Sequence, residues 1–105
     1  MRVLIDACLP IELKTLLEGT EVKTPRDMGW QQLDNGQLLK KADGRFDVLV
    51  TMDKAMPSQQ ILARHSIALV IIKGQFNRIA NLKPLVPVIQ ATILHATPGM
   101  ATRVP

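Results

Sequence analysis

The sequence predicts a single α/β domain, residues 1–105, in which helices cover both faces of a short, mainly parallel, four-stranded sheet. The three-layer, Rossmann-like prediction depends on two observations. Short apolar runs alternate with segments of helical periodicity, as in βαβ units. The runs at 48–51 and 67–72 lack in–out alternation, which is typical of parallel strands covered on both faces.

The first strand and the first helix are predicted within residues 3–19. Val3–Ile5 is an apolar run that ends at Asp6, so we expect a buried strand there. Pro10 suits the first turn of a helix, and Gly19 suits its carboxyl cap. Between them one apolar helical face is formed by Leu9, Leu13, Leu16 and Leu17.

The next segment is more polar. Residues 20–23 are expected to form an edge strand, and residues 24–32, which contain the only tryptophan, are expected to form a loop. The following helix begins at Asp34 or Asn35. Asp34 with Gln37 three positions later has the form of a capping box.

The second half of the chain supplies two more strands. Residues 48–51 form the third strand, residues 57–64 a short helix, and residues 67–72 the fourth strand. A final helix is predicted over 81–95, with prolines tolerated only near its start. Pro98-Gly99 then ends that helix, and the rest is expected to be a short tail.

Composition excludes several classes of protein. With Cys8 as the only cysteine, no intrachain disulfide can form and no cysteine–histidine zinc pattern exists. The apolar run at 67–72 is too short to span a bilayer, and Met1 leads directly into a strand without a signal-peptide core. The sequence thus predicts a cytoplasmic protein without membrane contact. Its net charge of +4 favours polyanions such as RNA.

The parallel sheet predicts where the chemistry lies. Ligands of open parallel sheets bind beyond the carboxyl ends of the strands. Asp6 follows the first strand and Asp53 follows the third, so both carboxylates are expected at one edge, close enough to share Mg²⁺ or Mn²⁺. Such a metal would suit phosphoryl chemistry. Asp34 is either a plain helix cap or a third acid of the site.

Cationic side chains are predicted at the same edge, where they would hold a polyanionic substrate. They follow the second, third and fourth strands and are Lys23, Arg26, Lys54 and Lys73. No nucleophile elbow, P-loop or cysteine–histidine pair accompanies them, so other hydrolase classes lack support.

Three segments in order resemble short bacterial PIN-like domains. Residues 6–10, Asp-Ala-Cys-Leu-Pro, resemble the D-E-N-L-P opening of that family. The stretch from Arg26 to Leu39 resembles its G-W-x-x-L-S-D-x-E-L-L segment, and residues 48–56 resemble V-L-V-T-x-D-x-D-F. The similarity covers nearly the whole chain.

The resemblance implies a metal-dependent ribonuclease with a cluster of acids, often the toxin of a toxin–antitoxin pair. Asp6 and Asp53 match two of the family's acids, and Asp34 would replace a third after a shift of one residue. The chain departs from the family pattern at Ala7, Asn35 and Ala55, where acids are usual. Asn35 would then contribute to substrate binding instead.

Two alternatives remain open. One is a catalytically degenerate PIN-like module that binds RNA or a protein partner, with an antitoxin or a second copy of the chain as possible partners. The other is a phospho-acceptor domain, since residues 47–57 resemble the segment around the acceptor aspartate of response-regulator receivers. Against it, Ala7 stands where receivers have a second acid, and no fifth strand with a lysine is predicted.

Overall fold

The sheet in the computed structural model has five parallel strands, one more than the sequence predicted. Residues 1–18, 20–52, 62–73 and 78–104 are described by the structure. The strands are β1 (Arg2–Ile5), β2 (Glu21–Lys23), β3 (Val48–Met52), β4 (Ala68–Ile72) and β5 (Ala101–Val104). Their order across the sheet is β2-β1-β3-β4-β5, and every neighbouring pair is parallel.

Five helices accompany the strands in the described residues. They are α1 (Leu13–Leu16), α2 (Pro25–Met28), α3 (Asn35–Ala42), α4 (Ile79–Leu82) and α5 (Val86–Leu94), with a 3₁₀ turn at Lys83–Leu85 between the last two. The α/β class and the helix-flanked parallel sheet are therefore confirmed. None of these helices has the length and apolarity to cross a bilayer.

The inner strands form the centre of the core because both of their faces are covered. Every residue of β3 and β4 is buried, as their unbroken apolar runs predicted. On one face, residues of α1, α4 and α5 pack with Val3, Val50 and Val70. On the other face, Leu38 and Leu39 of α3 pack with Leu4 and the alternate residues of the inner strands.

Trp30 belongs to the second of these clusters. Its side chain is only 9% exposed and meets the ring of Phe46 edge-on, with centroids 6.2 Å apart. The guanidinium carbon of Arg45 lies 5.7 Å from the centroid of the Trp30 ring. The tryptophan therefore covers the sheet and also fixes a cation at the protein surface.

The segment predicted as a loop at 24–32 contains helix α2. Thr24 caps this helix: its hydroxyl accepts from the Asp27 amide, and the Asp27 carboxylate accepts from the Thr24 amide. Pro25 fills the first helical position and Gly29, at φ 74°, ends the helix. The capping residues can be recognised in the sequence. The helix itself has only four residues, so it shows no helical periodicity.

Other helix predictions were right in place but not in length. Asp34 caps α3 through the expected capping box with Gln37. The first helix is shorter than its leucine repeat, and the helix predicted over 81–95 is divided by the 3₁₀ turn, which contains Pro84. Gly19, and most of the helix predicted over 57–64, lie outside the described residues.

The prediction that the chain ends in a tail was wrong, since residues 101–104 form β5. Gly99 adopts φ 75°, its amide donates to Ile67, and the Leu69 amide donates to Met100, so the chain turns into register beside β4. Val104 is fully buried there. The reading as four strands failed because Thr102 and Arg103 conceal the apolar pattern of a short edge strand.

The strand order creates a topological switch point between β1 and β3. From β1 the chain first crosses to β2 on one side and later to β3 on the other, so the connections diverge at the carboxyl ends of these two strands. Open parallel sheets bind ligands in the crevice at such a point. We therefore expect the residues that follow β1 and β3 to line a ligand-binding crevice.

Candidate functional site

Asp6 stands at the carboxyl end of β1, at the switch point. Its amide donates to the Val50 carbonyl at 2.8 Å, which continues the ladder between β1 and β3. Its Oδ1 accepts from the Ala7 amide at 2.7 Å, and its Oδ2 accepts from the Thr51 hydroxyl at 2.7 Å. The carboxylate is therefore held in one orientation by the turn after β1 and by β3.

Thr51 is a residue of the candidate site that the sequence did not predict. It is 3% exposed in the middle of an apolar strand, 45 positions from Asp6, and its hydroxyl makes a short bond to that carboxylate. A buried hydroxyl needs a partner, and Asp6 supplies it. The signal was present in the sequence, because Thr51 is the only hydroxyl residue in the run Val48–Met52.

Cys8 completes the group. Its Sγ lies 3.5 Å from Asp6 Oδ2 and 3.7 Å from Thr51 Oγ1. Burial is the largest cause that raises the pKa of the Cys8 thiol, so the protonated form predominates at neutral pH. The thiol can donate weakly to the carboxylate, whereas metal binding would require the thiolate.

A pocket of about 360 Å³ opens beside this carboxylate. Its walls include Asp6, Thr24, Arg26 and Gln31 together with apolar side chains, among them Ile11, which is 60% exposed. We call this cavity the Asp6 pocket. It combines an anion, a cation and an amide with an apolar wall, which is the usual composition of a small-molecule or nucleotide site.

The predicted cations do not all lie at this pocket. Arg26 lines it, but Lys23 lines a separate groove with Arg2 and Arg45. Lys73 follows β4 at the same carboxyl edge, where its amide donates to the Val104 carbonyl, and its side chain is exposed. Of the predicted substrate-binding residues in the described part of the chain, the structure brings Arg26 alone into the Asp6 pocket.

The remaining predicted site residues stand apart or cannot be located. Asp34 is the cap of α3, and one of its carboxylate oxygens accepts from the Gln37 amide at 2.8 Å. Asn35 is the first residue of that helix. Asp53 and Lys54 lie outside the described residues, so the predicted approach of Asp6 and Asp53 stays a prediction.

The residues present offer a limited set of metal ligands. Nowhere in residues 1–18, 20–52, 62–73 and 78–104 do three histidine, cysteine, aspartate or glutamate side chains gather to hold a metal. The Asp6 carboxylate still has room for one more hydrogen bond or metal ligand contact. A carboxylate has about four acceptor positions, and here two strong hydrogen bonds and one weak thiol contact occupy three of them. A hard cation that keeps most of its waters could use the fourth.

A second polar cluster lies at the opposite, amino edge of the sheet. Asp43 Oδ2 is 2.9 Å from His65 Nδ1, and Asp43 Oδ1 accepts from the Ser66 amide at 3.0 Å and the Ser66 hydroxyl at 2.8 Å. A nucleophilic serine would have to bond to the histidine, but here both side chains bond to the aspartate. The cluster therefore ties the end of α3 to the segment before β4.

We expect Asp43→Asn to lower the free energy of unfolding by about 1–2 kcal/mol at pH 7, because an amide nitrogen cannot accept a hydrogen bond. The hydrogen bond from His65 is the largest cause that holds the Asp43 pKa below its ordinary 3.8. The stabilisation is thus complete above that value and is lost as pH falls through the lower folded pKa. Urea unfolding from pH 7 to pH 2 should show a shallower acid loss in the variant.

Asp34→Asn is the matched control, because asparagine caps a helix about as well as aspartate and its stability should stay within about 0.5 kcal/mol of the original. An Asp43→Asn protein with unchanged stability and an unchanged acid slope would show that the cluster does not stabilise the fold.

Comparison with known proteins gives no relative. No family model, no curated protein and no solved structure matches the chain. The geometry around Asp6 and the motifs in the sequence are therefore the features that indicate a function.

Proposed function

We propose that this protein is a metal-dependent ribonuclease of the PIN-like type whose active site is the Asp6 pocket. The observation that carries the proposal is the Asp6 carboxylate itself, held by Thr51 at the switch point and opening onto a cavity lined by Arg26. A carboxylate fixed by a second residue is the usual form of a metal ligand in an enzyme.

In this proposal Asp6 would hold Mg²⁺ or Mn²⁺ together with Asp53, the acid that the sequence predicts beside it. Mg²⁺ often binds one or two carboxylates, several waters and a substrate phosphate, so the pair would suffice. The metal would supply an activated water and stabilise the leaving oxygen of a phosphodiester. Arg26 would orient the phosphate, and the net charge of +4 would attract the RNA.

The decisive experiment compares cleavage of several single-stranded RNAs in Mn²⁺ by the original protein and by Asp6→Asn. We expect a loss of about 100-fold or more, because the amide removes the charge that binds the metal. Thr51→Val, which keeps the side-chain shape but removes the hydroxyl, should reduce the rate about 10-fold, since it only orients the ligand.

Asp47→Asn is the matched control, because it makes the same change at the amino edge, where the Asp47 carboxylate accepts from the Arg2 amide. Its cleavage rate should stay within about 2-fold. Thermal unfolding provides a separate readout: Mn²⁺ should raise the melting temperature of the original protein and of Asp47→Asn, but not that of Asp6→Asn. Equal cleavage by Asp6→Asn and the original protein would refute the proposal.

A second function is favoured by a specific observation, namely that Asp6 already accepts two strong hydrogen bonds and that no group of three possible metal ligands forms around it among the described residues. The chain would then be a PIN-like module that binds RNA, or a protein partner such as an antitoxin, without cleaving RNA. RNA binding that is unaffected by EDTA and by Asp6→Asn, with no cleavage in Mn²⁺, would support this alternative.

One structural feature agrees with the hypothesis of a receiver-like phospho-acceptor domain, because the fifth parallel strand that this hypothesis requires is present. However, β5 (Ala101–Val104) contains arginine and no lysine, and Ala7 still stands where a second acid is usual. Incubation with acetyl phosphate followed by intact-mass measurement tests it directly. A stable phosphoryl adduct on Asp53 would favour this reading over the ribonuclease.

A further inference from the structure

A groove of about 240 Å³ on the tryptophan-bearing face of the sheet is lined by more cations than anions. Its six lining residues are Arg2, Glu21, Lys23, Met28, Arg45 and Phe46. We call it the basic groove. It shares no lining residue with the Asp6 pocket, so it is a separate feature of the surface.

The strand register explains how the charges meet. Arg2 of β1 pairs with Glu21 of the edge strand β2, and Leu4 pairs with Lys23. Side chains two positions apart on a strand lie on the same face, so Arg2 and Lys23 share the face on which Leu4 packs into the second core cluster. Arg2 and Glu21 are exposed and Lys23 is half-buried, so this part of the face borders solvent.

Arg45 reaches the groove from the turn after α3. Its guanidinium lies over the ring of Trp30, which is buried and braced by Phe46. A cation held against an aromatic face loses less conformational freedom on binding a ligand than one on a free side chain. The groove thus contains one pre-positioned guanidinium beside two other cations.

Positive side chains outnumber negative ones among the residues that line the groove. Three positive side chains face one carboxylate, Glu21, and in the described ranges neither Arg2, Lys23 nor Arg45 forms a salt bridge. Like charges that line one groove raise the local positive potential, which favours an anion. Two arginines give planar donor pairs that match the oxygens of a phosphate.

We propose that the basic groove binds the phosphodiester backbone of a single-stranded nucleic acid, at a site separate from Asp6. The groove is large enough for one or two phosphate groups, and its excess of positive charge is complementary to theirs. The half-buried Met28 and the edge of Phe46 provide an apolar floor for a sugar or base. This inference depends on the groove and not on the chemistry proposed for Asp6.

The test measures binding of a fluorescently labelled 12-nucleotide RNA by anisotropy in EDTA, over a range of NaCl concentrations. EDTA prevents metal binding, so the result is independent of cleavage. Arg2→Gln, Lys23→Gln and Arg45→Gln should each weaken binding about 3–10-fold at low salt. Each should also reduce the slope of log affinity against log salt by about 0.7, the value for one phosphate contact to a single strand.

Arg64→Gln is the control, because it removes one exposed positive charge outside the groove and should weaken binding less than 2-fold. Arg45→Lys tests whether weaker binding by Arg45→Gln comes from lost charge or from misfolding. It keeps the positive charge and should bind RNA within about 3-fold of the original protein. A DNA strand of the same sequence distinguishes the two sources of phosphodiester, since equal binding assigns the groove to the backbone and stronger RNA binding assigns it to RNA. The proposal is overturned if all four Gln variants weaken binding equally, if none does, or if polyglutamate competes as well as RNA per unit charge.

Discussion

Trp30→Ala is expected to lower the free energy of unfolding by about 3–5 kcal/mol, because truncation of a buried aromatic ring leaves a large cavity. Trp30 is 9% exposed and contacts Phe46 and Arg45, so its loss removes both apolar burial and the two ring interactions. Urea unfolding followed by far-UV circular dichroism measures the effect, since the variant has no tryptophan fluorescence.

Trp30→Phe should cost only about 1–2 kcal/mol, because a ring remains to pack against Phe46. The same pair of variants tests the basic groove, since Arg45 loses its support in Trp30→Ala but keeps a ring in Trp30→Phe. If Trp30→Ala is destabilised by less than about 1 kcal/mol, the tryptophan does not cover the sheet as described.

Val104→Asp is expected to destabilise the protein by about 3–5 kcal/mol, because it places an unpaired charge in the core. Val104 is fully buried among the apolar residues on the face that α1 and α5 cover. The substitution therefore tests whether residues 101–104 form the fifth strand. Thermal and urea unfolding at pH 7 both report the change.

The control for Val104→Asp is the same residue introduced at Thr102, which belongs to β5 but is exposed. Thr102→Asp should cost less than about 1 kcal/mol. If residues 101–104 were the short tail that the sequence predicted, the two aspartate variants would be equally stable.

The inner part of the sheet could be predicted from the sequence because its strands are long enough to show a pattern. β3 and β4 are apolar, β-branched and bounded by charge, which permits few other readings. Their covering helices followed from the leucine positions and from the Asp34 capping box. Local pattern and tertiary burial agree at these positions.

The edges could not be predicted as well, because short elements carry little periodic information. β5 has one buried apolar residue, Val104, and owes its place to the turn at Gly99 and to pairing with β4, which are not local signals. Helix α2 is four residues long, so only the residues at its two ends, Thr24, Pro25 and Gly29, indicated it. Tertiary contacts, rather than propensity, decide such segments.

The candidate site was predicted in part. The rule on carboxyl ends selected Asp6 and Arg26, which do line one pocket. The rule selects residues only by the strand end that they follow, so it also grouped Lys23 with them, although Lys23 lines the basic groove together with Arg2 and Glu21. Thr51 was missed because the direction of a buried hydroxyl is known only once β1 and β3 are paired.

The outer strands of the sheet have a consequence for self-association. Both borders are short and polar: β2 has three residues, of which Glu21 and Lys23 are charged, and β5 has exposed Thr102 and Arg103. Such borders are poor templates for pairing with another chain. The apolar runs of β3 and β4, which resemble aggregation-prone segments, stay enclosed between them. Partial release of β5 would uncover β4, so fibril growth should begin from that border rather than from β2.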